Sequence, residues 1–578
     1  MSESRKALQP GTMDRDDWLW LIGMLFVLFA TRLAWIVWNP DSALYWEEDY
    51  RWVAAREILA GPLQPAFDYQ ADNYQGGSLV LIALITCNFA LFGESLLSFK
   101  LAPLAFAGAT LVALYALGRL CFGRRVALLA GAGYLVGPPL LAHGALIPMG
   151  SHGESALFSL LQLICFLKIL SRDWHTPRGW AALGFVSGLG LWFCYTSGLS
   201  LAACGLTWLI LEGVPKPRLL LAATAGLLLG LIPWFAYNLQ NDFAGLLRLL
   251  EIFGGGNPID AWAPQGPFEK LLALIFRDLP IGLIDPFRDR DNPILAAVVE
   301  TAFYLPVVIA LVAGLGRVLR LLRAGPRQSS PGTGSELEGY RSEVVFYIYG
   351  LLFVAAYLSS SFAIEPQKGA HTYRLFLPLI TVMWLPVAVS VARALDVPRF
   401  TRSAAIIGLV LAMTASALSS VALAMRVPEL PHLGTQVREH VFRGYLTRGV
   451  LLHRKLEDDL PRAFDQARRV PDLGERFRTF QGLGWGIQYR YEGNGQIQPF
   501  LGQVDQLPLG EHVAVLSGLR WSNGNQIAQF KTIIADGEAT PRQRAQLERL
   551  EELKQHLDRR WSRIPLRYQR ARYIIYQD

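Results

Sequence analysis

The sequence predicts an all-α polytopic membrane protein with about 11 transmembrane helices and a mainly helical, water-soluble domain at its C-terminal end. Of its 578 residues, 52% are apolar and only 17% are charged, against roughly 25% charged in an ordinary soluble domain. The apolar residues form a succession of runs up to residue 424, and charged residues become dense from residue 425 onward. A lipid bilayer must therefore be part of the solvent of this chain.

Eleven of the apolar runs have the length of a membrane span, which is about 20 residues. The first run has no small-residue cleavage site after it, so it is expected to be retained as a span rather than removed as a signal peptide. A further run, 79–92, has about 14 residues, the length of an interfacial or re-entrant segment. The eleven expected spans are 18–38, 99–118, 124–142, 154–171, 179–196, 198–214, 218–238, 294–316, 343–362, 374–392 and 402–424.

Loop charges support leaving 79–92 out of the spans. With that choice, nearly all basic residues of the short loops collect on one side of the membrane, and the positive-inside rule makes that side cytoplasmic. We therefore expect a cytoplasmic N-terminus (1–17), a membrane domain (18–426), a first exterior loop with interfacial helices (39–98), a large exterior loop (239–293) and an exterior C-terminal domain (427–578). The net charge of +7 is then explained by topology, and nucleic-acid binding is not expected.

The C-terminal domain contains a weak repeat. Segments beginning at Phe442, Phe480 and Leu516 share an apolar residue followed two positions later by glycine, and they recur about every 37 residues. This spacing is typical of helix pairs that stack and cover one another's apolar faces. Coincidence is the alternative explanation for three loose copies.

The first exterior loop carries the densest group of acidic residues near the membrane. Glu47, Glu48 and Asp49 precede a segment with helical periodicity that stops at Gly61, so they are expected on its first turn. Acidic residues there are favoured by the helix dipole alone. Three adjacent carboxylates among Trp and Tyr exceed what capping requires, and they are candidates for catalysis. Asp72 and Tyr74, later in this loop, are candidate substrate contacts.

Two further exterior loops carry ionisable residues at the mouths of spans. His152 and Glu154 begin the fourth run, where Ser151 and Glu154 would also form an ordinary capping box. Lys368, His371, Tyr373 and Arg374 begin the tenth. Arg374 could merely extend toward the membrane interface, or it could bind a phosphate group, for which its guanidinium is well shaped.

Motifs in these loops resemble those of membrane glycosyltransferases of the GT-C architecture, specifically the bacterial relatives of protein O-mannosyltransferases and of the lipid A aminoarabinose transferase (glycosyltransferase family 39-related). The stretch Ala55 to Gly61 (AREILAG) matches a family segment that follows an acidic pair by about eight residues, which places the pair on Glu47 and Glu48; a shift in register would bring in Asp49. The other matching segments are Tyr74 to Ser78, Leu91 to Gly93, Arg119 to Arg125, Gly150 to Glu154 and Tyr373 to Pro378.

The resemblance implies an enzyme that takes a sugar from a polyprenyl-phosphate donor outside the cytoplasm and passes it, with inversion, to a protein, lipid or glycan acceptor. One of the three acidic residues would be the general base, and Arg374, Lys368, His371 and Tyr373 would bind the donor phosphate. His152 and Glu154 would contact the substrate. Some relatives use a divalent metal, which His152, Glu154 and the acidic residues could hold. The implied location is the bacterial inner membrane, with the active site facing the periplasm.

A transporter or flippase of a lipid-linked sugar is the main alternative. Such a protein is expected to carry ionisable residues at mid-membrane and internal symmetry between its halves. In this sequence the ionisable residues gather at exterior ends of the runs, and no duplicated half is evident. The pattern favours the enzyme.

Overall fold

The computed structural model describes most of the chain, which divides into two compact units. Unit 1 comprises Met1–Leu44, Asn73–Leu84 and Leu96–Leu433, and unit 2 comprises Tyr45–Asp72, Ile85–Ser95 and Gly434–Asp578. The described residues are 13–40, 48–71, 75–253, 266–284, 293–324, 334–360, 373–397, 399–425, 437–456, 459–491, 497–535, 541–566 and 568.

The regular elements of the described residues are helices. Short 3₁₀ turns lie at Ala66–Tyr69 and Arg374–Phe376, and a π-helical turn lies at Leu274–Asp278. The α-helices are α1 (Arg15–Trp38), α2 (Asp49–Ala60), α3 (Gly77–Phe92), α4 (Leu96–Phe122), α5 (Arg124–Leu135), α6 (Pro139–Gly144), α7 (His152–Leu170), α8 (Pro177–Phe193), α9 (Ser197–Glu212), α10 (Pro217–Gly230), α11 (Ile232–Gln240), α12 (Ala244–Phe253), α13 (Pro267–Ala273), α14 (Leu279–Ile284), α15 (Pro293–Ala324), α16 (Gly334–Ser359), α17 (Leu377–Ala394), α18 (Arg399–Met425), α19 (Val437–Lys455), α20 (Leu460–Arg468), α21 (Leu473–Tyr491), α22 (Ile497–Val504), α23 (Leu509–Ala535) and α24 (Pro541–Ser562).

Seven of the described helices are long and apolar enough to cross a membrane, and the bent pair α10 and α11 raises the number to eight. Large apolar side chains on these helices, among them Phe26 and Phe400, are 73% and 88% exposed, as expected of surfaces that face lipid. The polytopic all-α fold is therefore confirmed, whereas the expected number of eleven spans is not.

The difference in number has a physical cause in four of the expected spans. The run 124–142 breaks at Gly137 and Pro138, because proline cannot continue the hydrogen bonding of the preceding helix, and it leaves α5 with 12 residues. The run 218–238 bends by 50° between α10 and α11. The runs 179–196 and 198–214 give α8 with 17 residues and α9 with 16. At 1.5 Å per residue such helices are shorter than the roughly 30 Å of a bilayer core.

Helices α8 and α10 pack with their backbones in direct contact. A Cβ atom added to Gly184 would lie 1.9 Å from the carbonyl oxygen of Ala223, and one added to Gly226 would lie 2.0 Å from that of Ala181. Only glycine fits at these positions. Close approach through small residues is the usual way in which helices associate in lipid, where the hydrophobic effect gives little drive.

Ion pairs gather the basic loops at one end of unit 1, which we call the arginine-rich end. Asp17, near the start of α1, is fully buried and binds Arg119 and Arg124, each at 2.9 Å. The other pairs at this end are Arg125–Asp396 (2.7 Å), Arg393–Glu343 (2.9 Å), Arg317–Glu343 (3.6 Å), Arg172–Glu212 and Arg341–Glu212.

The same contacts fix the direction of the first helices of unit 1. Because Asp17 at the start of α1 binds Arg119 at the end of α4, the two helices run in opposite directions. Residues 38 and 96 therefore lie at the same end of unit 1. At that end, the side-chain amide of Asn39 donates to the carbonyl oxygen of Ala424 in α18 (3.0 Å).

The C-terminal part of unit 2 is built from helix pairs. The first helices of the pairs, α19, α21 and α23, begin at Val437, Leu473 and Leu509, a spacing of 36 residues, and α20, α22 and α24 follow them. The pairs share an apolar core that includes Phe464, Phe480 and Leu516. The helical, repeat-like character expected of this domain is confirmed.

The glycines of the three repeat segments allow the first helices to touch. A Cβ atom added to Gly482 would lie 1.9 Å from the carbonyl oxygen of Leu446, and one added to Gly518 would lie 1.8 Å from that of Gln481. Gly444, in the first segment, has the same relation to α2, because its Cβ atom would lie 2.4 Å from the carbonyl oxygen of Asp49. Helix α2 therefore occupies the position of a preceding repeat.

Candidate active site

The acidic residues of the loop that follows the first span lie at the start of α2. Glu48 is fully buried at the N-cap position, and Asp49, the first helical residue, is 1% exposed. Buried carboxylates are costly unless they are paired or used, so dipole stabilisation of an exposed helix end does not account for them. Glu47 lies outside the described residues.

Asp49 is held by two residues of α19. Its Oδ1 accepts a hydrogen bond from Nδ1 of His440 at 2.8 Å, and its Oδ2 accepts one from Nε of Arg443, also at 2.8 Å. The side chain of His440 is fully buried. Both carboxylate oxygens of Asp49 are thus engaged, and its orientation is fixed.

Trp52 covers this pair from the next turn of α2. Its ring stacks on the imidazole of His440, with 4.5 Å between centroids and 4° between planes. The indole Nε1 donates to Oε1 of Glu94 at 2.6 Å, and Phe89 packs at 5.3 Å from the ring. The stacked rings exclude water from the hydrogen bonds of Asp49, which strengthens them.

A second buried ion pair lies two turns further along α2, where Arg448 of α19 binds Glu57. The two side chains are 2% and 4% exposed. Nearby, Tyr50 donates to the carbonyl oxygen of Tyr69 at 3.0 Å. Burial raises the pKa of Tyr69 to about 12, so this phenol stays neutral beside the ion pair.

In unit 1, two of the motif loops meet through their glycines. A Cβ atom added to Gly77 would lie 2.2 Å from the carbonyl oxygen of Gly150, and one added to Gly76 would lie 2.1 Å from the indole nitrogen of Trp192. The amide of Gly76 also donates to the carbonyl oxygen of Trp192 at 2.7 Å. The segments 75–78 and 150–154, which belong to the motifs of the sequence resemblance, are therefore neighbours.

Glu154 holds the second of these loops in place. Its carboxylate accepts hydrogen bonds from the amides of Gly150 (3.0 Å) and Ser151 (3.2 Å), and the capping box expected from the sequence is present. His152 is buried, with Nδ1 3.6 Å from Sγ of Cys194, and it meets Tyr195 edge to face. Whether these two residues also contact a substrate stays a prediction.

Tyr373 and Arg374 lie where the 3₁₀ turn leads into α17. Tyr373 is 1% exposed and packs so closely on α14 that a Cβ atom on Gly282 would lie 2.1 Å from its ring. Arg374 is half-buried. Burial and the nearby Asp278 raise the pKa of Tyr373, so the phenol can only act as a neutral hydrogen-bonding group. Asp72, Tyr74, Lys368 and His371 lie outside the described residues.

Sequence reasoning missed the residues that hold the acidic helix, namely His440, Arg443 and Arg448, because they lie about 390 positions away in the chain. One signal was available. Arg443 precedes the repeat glycine, at the position taken by Gln481 and Ser517 in the other copies. Gln481 donates to Ser517 at 2.9 Å, so residues at this position contact a neighbouring helix. An arginine at this position therefore predicts an acidic partner on the neighbouring helix.

Lys270 is a further buried cation that the sequence did not single out. It is 6% exposed, and its ammonium donates to the carbonyl oxygen of Ser360 at 2.7 Å and lies 5.1 Å from the centre of the Tyr357 ring. Within the part of the chain that the structure describes, no group of three or more His, Cys, Asp or Glu side chains is arranged to hold a metal ion.

Comparison with solved structures gives distant likenesses. The Archaeoglobus fulgidus oligosaccharyltransferase in complex with Zn and sulfate is 14% identical, with a TM-score of 0.45 over 79% of this chain and 56% of that one. The apo form of that enzyme is 13% identical, with a TM-score of 0.43 over 78% of this chain and 59% of that one. This chain thus spans less than two thirds of that protein. ArnT from Cupriavidus metallidurans in the apo state is 14% identical, with a TM-score of 0.41 over 90% of this chain and 81% of that one. No curated protein matches the sequence.

The family comparison is more specific. Residues 77–237 match the model of the dolichyl-phosphate-mannose-protein mannosyltransferase family, and they include the neighbouring motif segments around Gly77 and Gly150. The match confirms the resemblance of this chain to the membrane glycosyltransferases of GT-C architecture.

Proposed function

We propose that this protein is an inverting glycosyltransferase that takes a sugar from a polyprenyl-phosphate donor and transfers it to a protein, lipid or glycan acceptor outside the cytoplasm. The observation that carries the proposal is the burial of two adjacent carboxylates, Glu48 and Asp49, at the start of the loop helix α2. The family match over residues 77–237 supports the reaction class.

Glu48 is the proposed general base. It belongs to the acidic pair that the sequence resemblance places on Glu47 and Glu48, whereas Asp49 lies outside that pair and accepts a hydrogen bond on each of its oxygens, from His440 and from Arg443. Glu48 is equally buried and lies next to it. Glu47, the other member of that pair, is the alternative base.

The proposed reaction is a single displacement. The carboxylate of Glu48 accepts the proton of the acceptor hydroxyl, and the acceptor oxygen forms a bond to the anomeric carbon from the face opposite the phosphate. The bond between the anomeric carbon and the phosphate oxygen breaks, and polyprenyl phosphate leaves with the electron pair. Attack from the opposite face inverts the anomeric configuration.

The leaving phosphate needs positive charge, and Arg374 is the proposed source. A guanidinium can bind two phosphate oxygens at once, and Arg374 is half-buried beside Tyr373 at the entry to α17. Lys368 and His371 are proposed to assist it, and Tyr373 to donate a hydrogen bond. His152, Glu154, Asp72 and Tyr74 are proposed substrate contacts, with Glu154 also shaping its loop.

The proposed location is the inner membrane. The positive-inside rule would make the arginine-rich end of unit 1 cytoplasmic. The opposite end, where Asn39 contacts Ala424, would then face the periplasm, together with the first loop and the C-terminal domain.

The test is a transfer assay with Glu48→Gln in purified protein. Loss of a general base typically lowers the rate by 10²- to 10⁴-fold, so we expect kcat to fall by roughly that factor while the amount of inserted, folded protein is unchanged. Glu511→Gln is the matched control, because Glu511 pairs with the exposed Arg468 in the same unit. Wild-type kcat in Glu48→Gln would reject Glu48 as the base, and wild-type kcat in Glu47→Gln and Asp49→Asn as well would reject the acidic mechanism.

A further inference from the structure

Helices α2 and α19 meet along a ladder of residues with a spacing of four. Residues 49, 53 and 57 of α2 face residues 440, 444 and 448 of α19, and each level of the ladder has its own contact. The first level joins Asp49 to His440, the second brings Gly444 against Val53, and the third joins Glu57 to Arg448. Residues four apart lie on one face of a helix, so the two faces match over two turns.

Buried ion pairs, in addition to apolar contacts, hold α2 against α19. Asp49, Glu57 and Arg448 are each less than 5% exposed at their side chains, and His440 is fully buried. A buried charge that loses its partner is strongly unfavourable. Small shifts of α2 relative to α19 are therefore opposed at both ends of the ladder.

The first level of the ladder, the contact of Asp49 with His440, is adjacent to the proposed base, Glu48. Glu48 and Asp49 are joined by one peptide bond, so their Cα atoms are about 3.8 Å apart. The backbone of Glu48 already has helical angles (φ −72°, ψ −29°). Fixing the carboxylate of Asp49 at two points therefore fixes the backbone from which the side chain of Glu48 extends.

We propose that His440 and Arg443, in the first helix pair of the C-terminal repeats, are positioning residues for catalysis that act on Glu48 through Asp49. This inference rests on the proposed function of Glu48. It makes the first repeat a working part of the glycosyltransferase and makes Asp49 a structural partner of the base.

The experiment compares Arg443→Gln and His440→Gln with Arg468→Gln. Arg468 is the matched control, because it is also a C-terminal arginine paired with a carboxylate, that of Glu511 at 2.7 Å, but its side chain is 40% exposed. Two quantities are measured: amide hydrogen exchange in α2 and in α21, and kcat and KM of transfer. Exchange reports local opening of a helix without requiring activity.

In Arg443→Gln and His440→Gln we expect faster exchange in α2 and unchanged exchange in α21. Because a misplacement of about 1 Å can cost about 100-fold in rate, we expect kcat to fall by roughly 10- to 100-fold with KM for the donor within about 2-fold of wild type. Arg443→Lys should recover part of the kcat, and Asp49→Asn combined with Arg443→Gln should be no slower than the slower single variant. Arg468→Gln should match wild type in both quantities.

Two results would overturn the positioning role. Exchange in α2 that stays at the wild-type rate in both Arg443→Gln and His440→Gln would contradict it whatever the activity. Wild-type kcat in those two variants, together with a loss in Asp49→Asn as large as in Glu48→Gln, would make Asp49 itself the base. Failure of the proposed function has a different signature, since the wild type would then transfer no sugar while α2 still opened in Arg443→Gln.

Discussion

Units 1 and 2 both bury carboxylates against arginine, but they do so in different places. In unit 1 the buried Asp17 and Glu343 lie at the arginine-rich end, where Arg119 and Arg393 remain 13% and 28% exposed. In unit 2 the pair Glu57 and Arg448 lies inside a helix contact, with both side chains less than 5% exposed. An arginine that reaches water can be solvated when its partner is lost, whereas a fully buried one cannot. The buried pair of Glu57 and Arg448 should therefore be far more sensitive to mutation than the pairs of Asp17 and Glu343.

The largest expected effect is on the Glu57 and Arg448 pair. Arg448→Met leaves the carboxylate of Glu57 buried without its partner, and such a change costs about 3–5 kcal/mol. The stability of unit 2 can be followed by pulse proteolysis in urea with the protein in detergent. Lys531→Gln is the control, because its pair with Glu551 is 59% and 44% exposed, and exposed pairs contribute about 0–1 kcal/mol.

A double variant sharpens this prediction. Glu57→Gln combined with Arg448→Met removes both charges, so it should lose less stability than Arg448→Met alone. If Arg448→Met is as stable as Lys531→Gln, the buried pair does not hold α2 to α19.

The next effect concerns pH and Lys455, whose ammonium donates to the carbonyl oxygen of Asp68 at 3.1 Å. Burial lowers the pKa of Lys455 from 10.5 to about 8. At pH values between these two pKa values, the unfolded state binds more protons than the folded state. The free energy of unfolding of unit 2 therefore rises with pH. The contribution of this group should raise the free energy of unfolding of unit 2 by about 2 kcal/mol between pH 7 and 9.5, since one pKa unit corresponds to about 1.4 kcal/mol.

The comparison protein is Lys455→Met, which lacks the titrating group and should not have this part of the pH dependence. Unfolding in urea at the two pH values measures the difference between the two proteins. Equal pH dependence in wild type and Lys455→Met would show that the buried charge of Lys455 does not destabilise the folded state.

A smaller effect than that of Arg448→Met is expected in unit 1. Asp17→Asn keeps a group that can accept from Arg119 and Arg124 and removes the charge, while both arginines still reach water. We expect a loss of about 1.5–3 kcal/mol, the size of a hydrogen bond to a charged group, measured as thermal stability in detergent. A loss as large as that of Arg448→Met would contradict the contrast between the two units.

Prediction from the sequence was most successful for features that depend on neighbouring residues in the chain. Apolar runs predicted the long helices of unit 1, because the length of a span is a property of neighbouring residues. The break at Pro138 and the bend after Gly230 reduced the number of long spans. The apolar runs did not predict this reduction, because it depends on how neighbouring helices accommodate the short ones. The repeat glycines 444, 482 and 518 predicted stacked helices for a similar local reason.

The candidate site was less predictable. The acidic residues stood out by their density, but the partners of Asp49 come from α19, about 390 residues later, and no local pattern specifies such a pairing. The capping role of Glu154 was visible as a Ser151 to Glu154 spacing. Density along the chain therefore singles out the acidic loop as a candidate, whereas the residues that hold Asp49 are seen only in the folded structure.

The proposed reaction breaks the bond between a sugar and polyprenyl phosphate. The direct measurement is incubation of the purified protein in lipid nanodiscs with polyprenyl-phosphate sugars labelled in both parts, with Glu48→Gln alongside. We predict release of one polyprenyl phosphate for each sugar transferred by the wild type, and none above background for Glu48→Gln. In sealed proteoliposomes, movement of intact labelled donor across the membrane without any release, equal in both proteins, would rule out this reaction and identify a transporter instead.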